Sequence, residues 1–204
     1  TEGFTLADYA ACLAGVVDSV GLGPAHVVGL SWGSTVALEL FRRHPGAVAT
    51  LILTGAYAGW KGSLPADEVA ARITGVQRML DASPEEFDPA LPGLFAGEPP
   101  AQFVPLLEAM AGDVRRHSMA TSLSIMAATD LNFVLPSISV PTLLVWGELD
   151  VRSPLRIAHE FEHAIPHATL VVIPGCGHVT NLHRPDEFNR VVREFCRGHV
   201  RSGD

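Results

Sequence analysis

The sequence predicts an α/β fold: a mostly parallel sheet flanked by helices, with a helical insertion between two of its strands. Three observations carry this reading. Four short apolar runs, at 25–30, 49–54, 141–146 and 169–173, have the length and β-branched content of buried strands. Helix-like segments separate them, the alternation expected of βα units. Three of the runs end in a glycine-containing turn that carries a side chain able to do chemistry: Ser31, Asp150 and His178.

Taken in order, residues 5–20 read as a helix, with Leu6, Tyr9, Ala10, Leu13, Val16 and Val17 near a 3–4 spacing. Gly21-Leu22-Gly23-Pro24 ends it and turns into the first strand. A helix from about Ser34 to His44 follows, and Pro45-Gly46 stops it. Ala49–Gly55 is the next strand. From Ala58 to about Ser139 the texture changes: Pro65, Pro84, Pro89, Pro92, Pro99, Pro100 and Pro105 cut the chain into short helical pieces, with candidates at 66–81, 84–88, 101–111 and 113–129. This predicts a helical cap at 58–139, inserted into a core formed by 1–57 and 140–204. The core resumes with strand 141–146, a helix near 154–165 for which Ser153 is the best placed cap, strand 169–173 and a helix at 185–198.

Gly29-Leu30-Ser31-Trp32-Gly33 lies between a strand and a helix. A Gly-x-Ser-x-Gly turn in that context presents the serine on a sharp, strained bend, with the next backbone N–H free at a helix N-terminus. Gly29 and Gly33 are both expected to be required because a Cβ at either would collide with a neighbouring element. The plainer reading is a Gly-rich βα turn whose serine caps the helix. A serine hydroxyl needs a base to become a nucleophile. His178, on Gly175-Cys176-Gly177-His178, carries an imidazole, the side chain suited to taking and returning that proton. Asp150, on Gly147-Glu148-Leu149-Asp150, can hold the imidazole tautomer and stabilise the imidazolium. Glu148 and Asp130 are the fallback acids, and His183 is the one serious rival to His178 among nine histidines.

With these three motifs the chain resembles the α/β-hydrolase superfamily, in its branch of esterases, enol-lactonases, carbon–carbon bond hydrolases and proline iminopeptidases. The resemblance runs from about Phe4 to Cys196. Ser31-Trp32-Gly33-Ser34-Thr35 is similar to the elbow of proline iminopeptidases, and Pro174-Gly175-Cys176-Gly177-His178 to the histidine loop of enol-lactonases. The resemblance implies a serine hydrolase acting on a carboxylic ester or lactone, with Ser31, Asp150 and His178 catalytic, the Trp32 N–H as one oxyanion donor, and no cofactor. Serine at position 31 argues against the carboxylate nucleophile of haloalkane dehalogenases and epoxide hydrolases. A proline iminopeptidase-like aminopeptidase, a carbon–carbon bond hydrolase and a non-catalytic binding fragment remain as alternatives. In the resembled family the helix at 5–20 directly precedes the nucleophile strand. The expectation is therefore that a preceding segment or a second chain completes the sheet and gives the second oxyanion donor.

A cap over such an edge usually shapes the substrate site. Trp32, Trp60 and Met126 are the expected substrate contacts, and Met79, Phe95, Phe103, Met119 and Phe133 are further apolar candidates shared with the cap core. Arg72, Arg78, Arg115 and Arg116 read as solvated helix faces rather than carboxylate anchors. One lysine, Lys61, against thirteen arginines in a chain of net charge −8 gives no basic cluster, so no nucleic-acid partner is expected. No apolar run is long enough to span a bilayer, so no membrane is expected. Cys12, Cys176 and Cys196 form neither a disulfide framework nor a zinc pattern, which fits a reducing cytoplasm.

Overall fold

The computed structural model describes residues 3–83 and 93–199. Helix α1 (Leu6–Val20) opens on a reciprocal cap: Thr5 Oγ1 accepts the Asp8 N–H, and the Asp8 carboxylate accepts the Thr5 N–H at 2.7 Å. Gly21 closes it at φ 71°, a left-handed conformation that glycine adopts without a Cβ clash.

The sheet consists of β1 (Ala25–Leu30), β2 (Val48–Thr54), β3 (Thr142–Gly147) and β4 (Ala168–Ile173), all parallel and in the order β1-β2-β3-β4. All four expected strands are present, with ends shifted by at most one residue. Leu30 pairs with Thr54, Thr54 with Val145 and Val145 with Val171, so the turns after the strands emerge along one edge of the sheet. In open α/β sheets this carboxyl edge is where sites are built.

Alternation along the strands divides the interior in two. Leu51, Leu53, Leu144 and Trp146 belong to the larger core, with α2 (Trp32–Arg43) and α7 (Leu155–Ala164) packed on it and α1 lying against α2. Ile52, Leu143, Val145 and Ile173 meet Phe188 and Val191 of α9 (Pro185–Gly198) in the smaller one. Each fully buried Leu or Ile contributes about 1.5–3 kcal/mol relative to exposure, so these two layers dominate the folding energy. Helix α2 starts at Trp32, two residues before the expected Ser34, because the bend at Ser31 feeds straight into it. Ser153 does not cap α7. Its hydroxyl donates instead to the Ala56 carbonyl at 3.0 Å, and Pro154 occupies the cap position.

Between β2 and β3 lie α3 (Trp60–Ser63), α4 (Ala66–Asp81), α5 (Val104–Asp113) and α6 (Arg116–Ala128), with 3-10 turns at Ala101–Phe103 and Asn132–Ser137. The segment leaves and rejoins the sheet at one neck. Leu131 N–H donates to Ala58 O at 2.8 Å, and Gly62 N–H to Thr129 O at 3.2 Å. Gly59, at φ +77°, is pressed so close that a Cβ would come 2.2 Å from Thr129 O, so no other residue fits there. The stretch expected as one helix at 113–129 begins only at Arg116, because Val114 and Arg115 are extended. The candidate helix at 84–88 lies outside the described residues. Among the described residues, no helix is long and apolar enough to cross a membrane.

Candidate active site

Ser31 sits at φ 52°, ψ −114°, a region that a non-glycine residue occupies at a cost of about 1–3 kcal/mol. The bend is held from both sides. Ser31 N–H donates to Thr54 O at 3.0 Å, and Ser31 O accepts the Ser34 N–H at 3.0 Å. Gly29 is required, since a Cβ there would stand 2.7 Å from Gly33 O and from Ser34 Cα. Gly33 is not required on these grounds: a Cβ there would meet nothing within 4 Å. The bend closes against the backbone of the helix start, and its crowded side is that of Gly29 alone.

Trp32 is the first residue of α2, so its N–H has no acceptor within the helix. Its ring turns toward α1 and stacks edge-on with Tyr9 at 5.5 Å, while the Tyr9 hydroxyl lies 3.4 Å from Ser122 Oγ on α6. The Ser34 and Thr35 side chains, both fully buried, tie the start of α2 to the loop after β2. Tyr57 N–H donates to Ser34 Oγ at 2.9 Å, and Thr35 Oγ1 donates to Tyr57 O at 2.9 Å.

Asp150 and His178 are brought together from the ends of β3 and β4. Their carboxylate and imidazole are buried, with Asp150 Oδ2 2.8 Å from His178 Nδ1. A carboxylate only accepts, so Nδ1 carries the proton. Asp150 Oδ1 accepts the N–H groups of Arg152 (2.9 Å) and Ser153 (2.8 Å), which fixes the plane of the carboxylate. His178 Nε2 is buried and has no hydrogen-bond partner among the described residues. Gly55 lies against this pair at φ +47°, where a Cβ would stand 2.8 Å from His178 Nδ1 and 3.2 Å from Asp150 Oδ2. Ser31 and His178 thus flank the Thr54–Gly55 peptide, one bonded to its carbonyl and the other packed on its α-carbon.

The fallback acids do other things. Exposed Glu148 accepts the Gly175 N–H at 2.9 Å and links the loops after β3 and β4. Asp130 accepts the Asn132 N–H at 3.1 Å at the neck. His183 accepts the Gly177 N–H, while His159, His163, His167 and His199 are exposed. Cys176 is fully buried in the smaller core, and burial pushes its thiol up to about 11.

Of the expected substrate contacts, Trp60 lines a pocket of about 280 Å³ with Ile73 and Val76 of α4 and Leu123 and Ala127 of α6. Met126 is 2% exposed and packs inside the larger core instead. Phe133 is 67% exposed and the Met79 side chain lies outside the described residues. Arg72 is not a solvated face. Its guanidinium lies over the rings of Tyr57 and Trp60 and donates to Tyr57 Oη (3.1 Å) and Arg152 O (2.7 Å), while Tyr57 Oη also donates to Arg152 O. Sequence reasoning missed Gly55, whose one signal is its place directly after an apolar run, and the Tyr57–Arg72 contact, which no spacing announces.

A model of the alpha/beta hydrolase family matches residues 1–191. The chain belongs to the alpha/beta hydrolase family. It is 30% identical over 200 residues to a 2-hydroxy-6-oxononadienedioate/2-hydroxy-6-oxononatrienedioate hydrolase of Burkholderia vietnamiensis, covering 91% of this chain and 66% of that one. It is also 30% identical over 187 residues to a pimeloyl-[acyl-carrier protein] methyl ester esterase of Aromatoleum aromaticum, covering 85% of this chain and 74% of that one. Among solved structures, a thermophilic esterase of Thermogutta terrifontis superposes with a TM-score of 0.80 at 26% identity, over 97% of this chain and 74% of that one. The chain thus spans about two thirds to three quarters of the length of these hydrolases. Its four-stranded parallel sheet with flanking helices is part of the alpha/beta hydrolase fold.

Proposed function

We propose that this hydrolase-family chain cleaves a carboxylic ester or lactone through an acyl-enzyme on Ser31. The observation that carries the proposal is the buried Asp150–His178 hydrogen bond of 2.8 Å, which leaves Nε2 unengaged on the sheet edge that also holds the strained Ser31. Ser31 Oγ attacks the carbonyl carbon as His178 Nε2 takes its proton. Asp150 keeps the other ring proton on Nδ1 and stabilises the imidazolium. The Trp32 N–H, at the positive end of α2, donates to the oxyanion. His178 returns the proton to the departing alkoxide oxygen, and water, deprotonated by the same nitrogen, releases the acid and restores Ser31.

The segment at 58–139 acts as a cap that shapes the substrate side, with Trp60 lining the pocket between α4 and α6 and Trp32 next to Ser31 in the chain. The esterases among the relatives support ester chemistry, as does the superposition on the Thermogutta esterase. A second reading, carbon–carbon bond hydrolysis with the same three residues, is favoured by the similarity to the Burkholderia hydrolase.

Labelling with a fluorophosphonate tests the proposal. The expected result is one covalent adduct by intact mass, absent from Ser31→Ala, together with turnover of short p-nitrophenyl esters. No adduct on a folded chain overturns it. An adduct without ester turnover, alongside cleavage of a 2-hydroxy-6-oxodienoate, selects the second reading.

A further inference from the structure

The loop that carries His178 is pinned on both sides of that residue. Val179 N–H donates to Leu94 O at 3.1 Å, and Gly177 N–H donates to His183 Nδ1 at 3.0 Å. Gly177 is crowded against Leu94–Ala96, where a Cβ would lie 2.6 Å from Ala96 N, so the amide has little freedom to turn elsewhere. His183 follows on α8 (Thr180–His183), whose Thr180 hydroxyl lies 2.8 Å from that of Thr54, both buried. Its ring packs on Phe95 at 5.5 Å. One pin is a carbonyl, which does not titrate in the working range. The other is an imidazole nitrogen, which accepts only while it is unprotonated.

We infer that His183 is a positioning residue for His178: its neutral Nδ1 holds the Gly177 amide and so fixes the loop that aims the imidazole, and its protonation releases that amide. This rests on the serine-hydrolase reading above. Accepting at Nδ1 places the ring proton on Nε2. Burial, then the neighbouring Arg184 guanidinium, hold the His183 imidazole below its ordinary value of 6.5. The other titratable groups nearby in the chain are Cys176 and His178 on the loop and Asp186 and Glu187 in the first turn of α9; further along α9 come Arg190, Arg193, Glu194, Cys196 and Arg197, and residues 93–96 bring none. The pin is therefore in place above the ordinary histidine value and is lost as pH falls through the lower value of the folded state.

Two measurements on wild type, His183→Ala and His183→Gln test this, the glutamine offering an acceptor that does not titrate. The first is the protection of the Gly177 amide against hydrogen exchange, corrected for intrinsic rate, between about pH 7.5 and about pH 5. Expected is a fall of about tenfold or more in wild type, retained protection in His183→Gln, and low protection throughout in His183→Ala. The second is the pH profile of ester turnover. In His183→Ala, kcat falls about tenfold with KM nearly unchanged, and His183→Gln restores most of it with an acid limb reduced to one proton. Equal Gly177 protection in all three proteins overturns the inference, as does equal loss of kcat in both variants. If wild type neither turns over esters nor labels at Ser31, the enzymatic reading fails, and the exchange data alone decide whether His183 holds the loop.

Discussion

Asp150 and His178, from loops after different strands, share a 2.8 Å hydrogen bond in a space that Gly55 leaves open. The carboxylate's second oxygen is committed to two backbone N–H groups. The pair is therefore oriented from both ends, and its geometry can be tested by changes that leave the fold intact.

Asp150→Asn keeps an oxygen for the Arg152 and Ser153 amides and turns an NH2 toward His178 Nδ1. The ring must then accept at Nδ1 and carry its proton on Nε2, where it cannot act as a base. The expected outcome is a fall in kcat of about 10³–10⁴-fold with little change in thermal midpoint, measured by ester hydrolysis and calorimetry.

Gly55→Ala places a Cβ 2.8 Å from Nδ1 and 2.9 Å from Cε1 of His178, in a left-handed conformation. Displacement of the imidazole by a few tenths of an ångström or more should lower kcat by about 100-fold. Gly33→Ala is the control. With open space around it and a helical position, it should keep or raise the stability, by up to about 1 kcal/mol. Thermal unfolding of the two variants side by side checks the contrast.

Glu39 is buried on α2 and accepts from Arg42 and Arg43. Burial pushes its carboxyl up, but the hydrogen bonds from the two guanidinium groups outweigh this and hold it below the ordinary value of 4.5. The sign follows: its contribution is present above the unfolded value and is lost as pH falls through the lower folded one. Glu39→Gln should therefore cost about 1 kcal/mol near neutrality, reduced by the partial exposure of both arginines. The gap to wild type should close as pH is lowered below 4.5. Urea unfolding at a series of pH values measures it.

Cys12 is exposed, whereas Cys176 is buried with its thiol pushed from 9.0 to about 11. At mildly alkaline pH the thiolate fraction of Cys176 is about 100-fold below ordinary. Iodoacetamide should modify Cys12 in the folded chain and leave Cys176 untouched until the protein is unfolded, as peptide mass spectrometry would show.

Strand positions were legible because a buried parallel strand needs an unbroken apolar run, and this chain punctuates such runs with Gly, Pro and Ser. The positions of Ser31, Asp150 and His178 just past strand ends were legible for a related reason. In a parallel sheet the residues just past the strands' C-terminal ends share one edge, so connection order alone places them near one another. Helices beginning at Leu6, Ala66 and Pro185 follow from capping residues and prolines that act locally.

Only the tertiary structure decided what depends on approach between distant segments. That Gly55 makes room for the imidazole, that Gly33 is not crowded, and that Ser153 turns to Ala56 rather than capping α7 all depend on how far one backbone stands from another. The same holds for Met126, as apolar in the sequence as any pocket lining but packed in the core, and for Arg72, which leaves solvent for Tyr57 and Trp60. Periodicity and residue type are local properties of a chain and fix which elements form. Distance between elements is set by the packing of all of them at once, and so it is the sequence that names Ser31, Asp150 and His178 and the fold that joins Asp150 to His178.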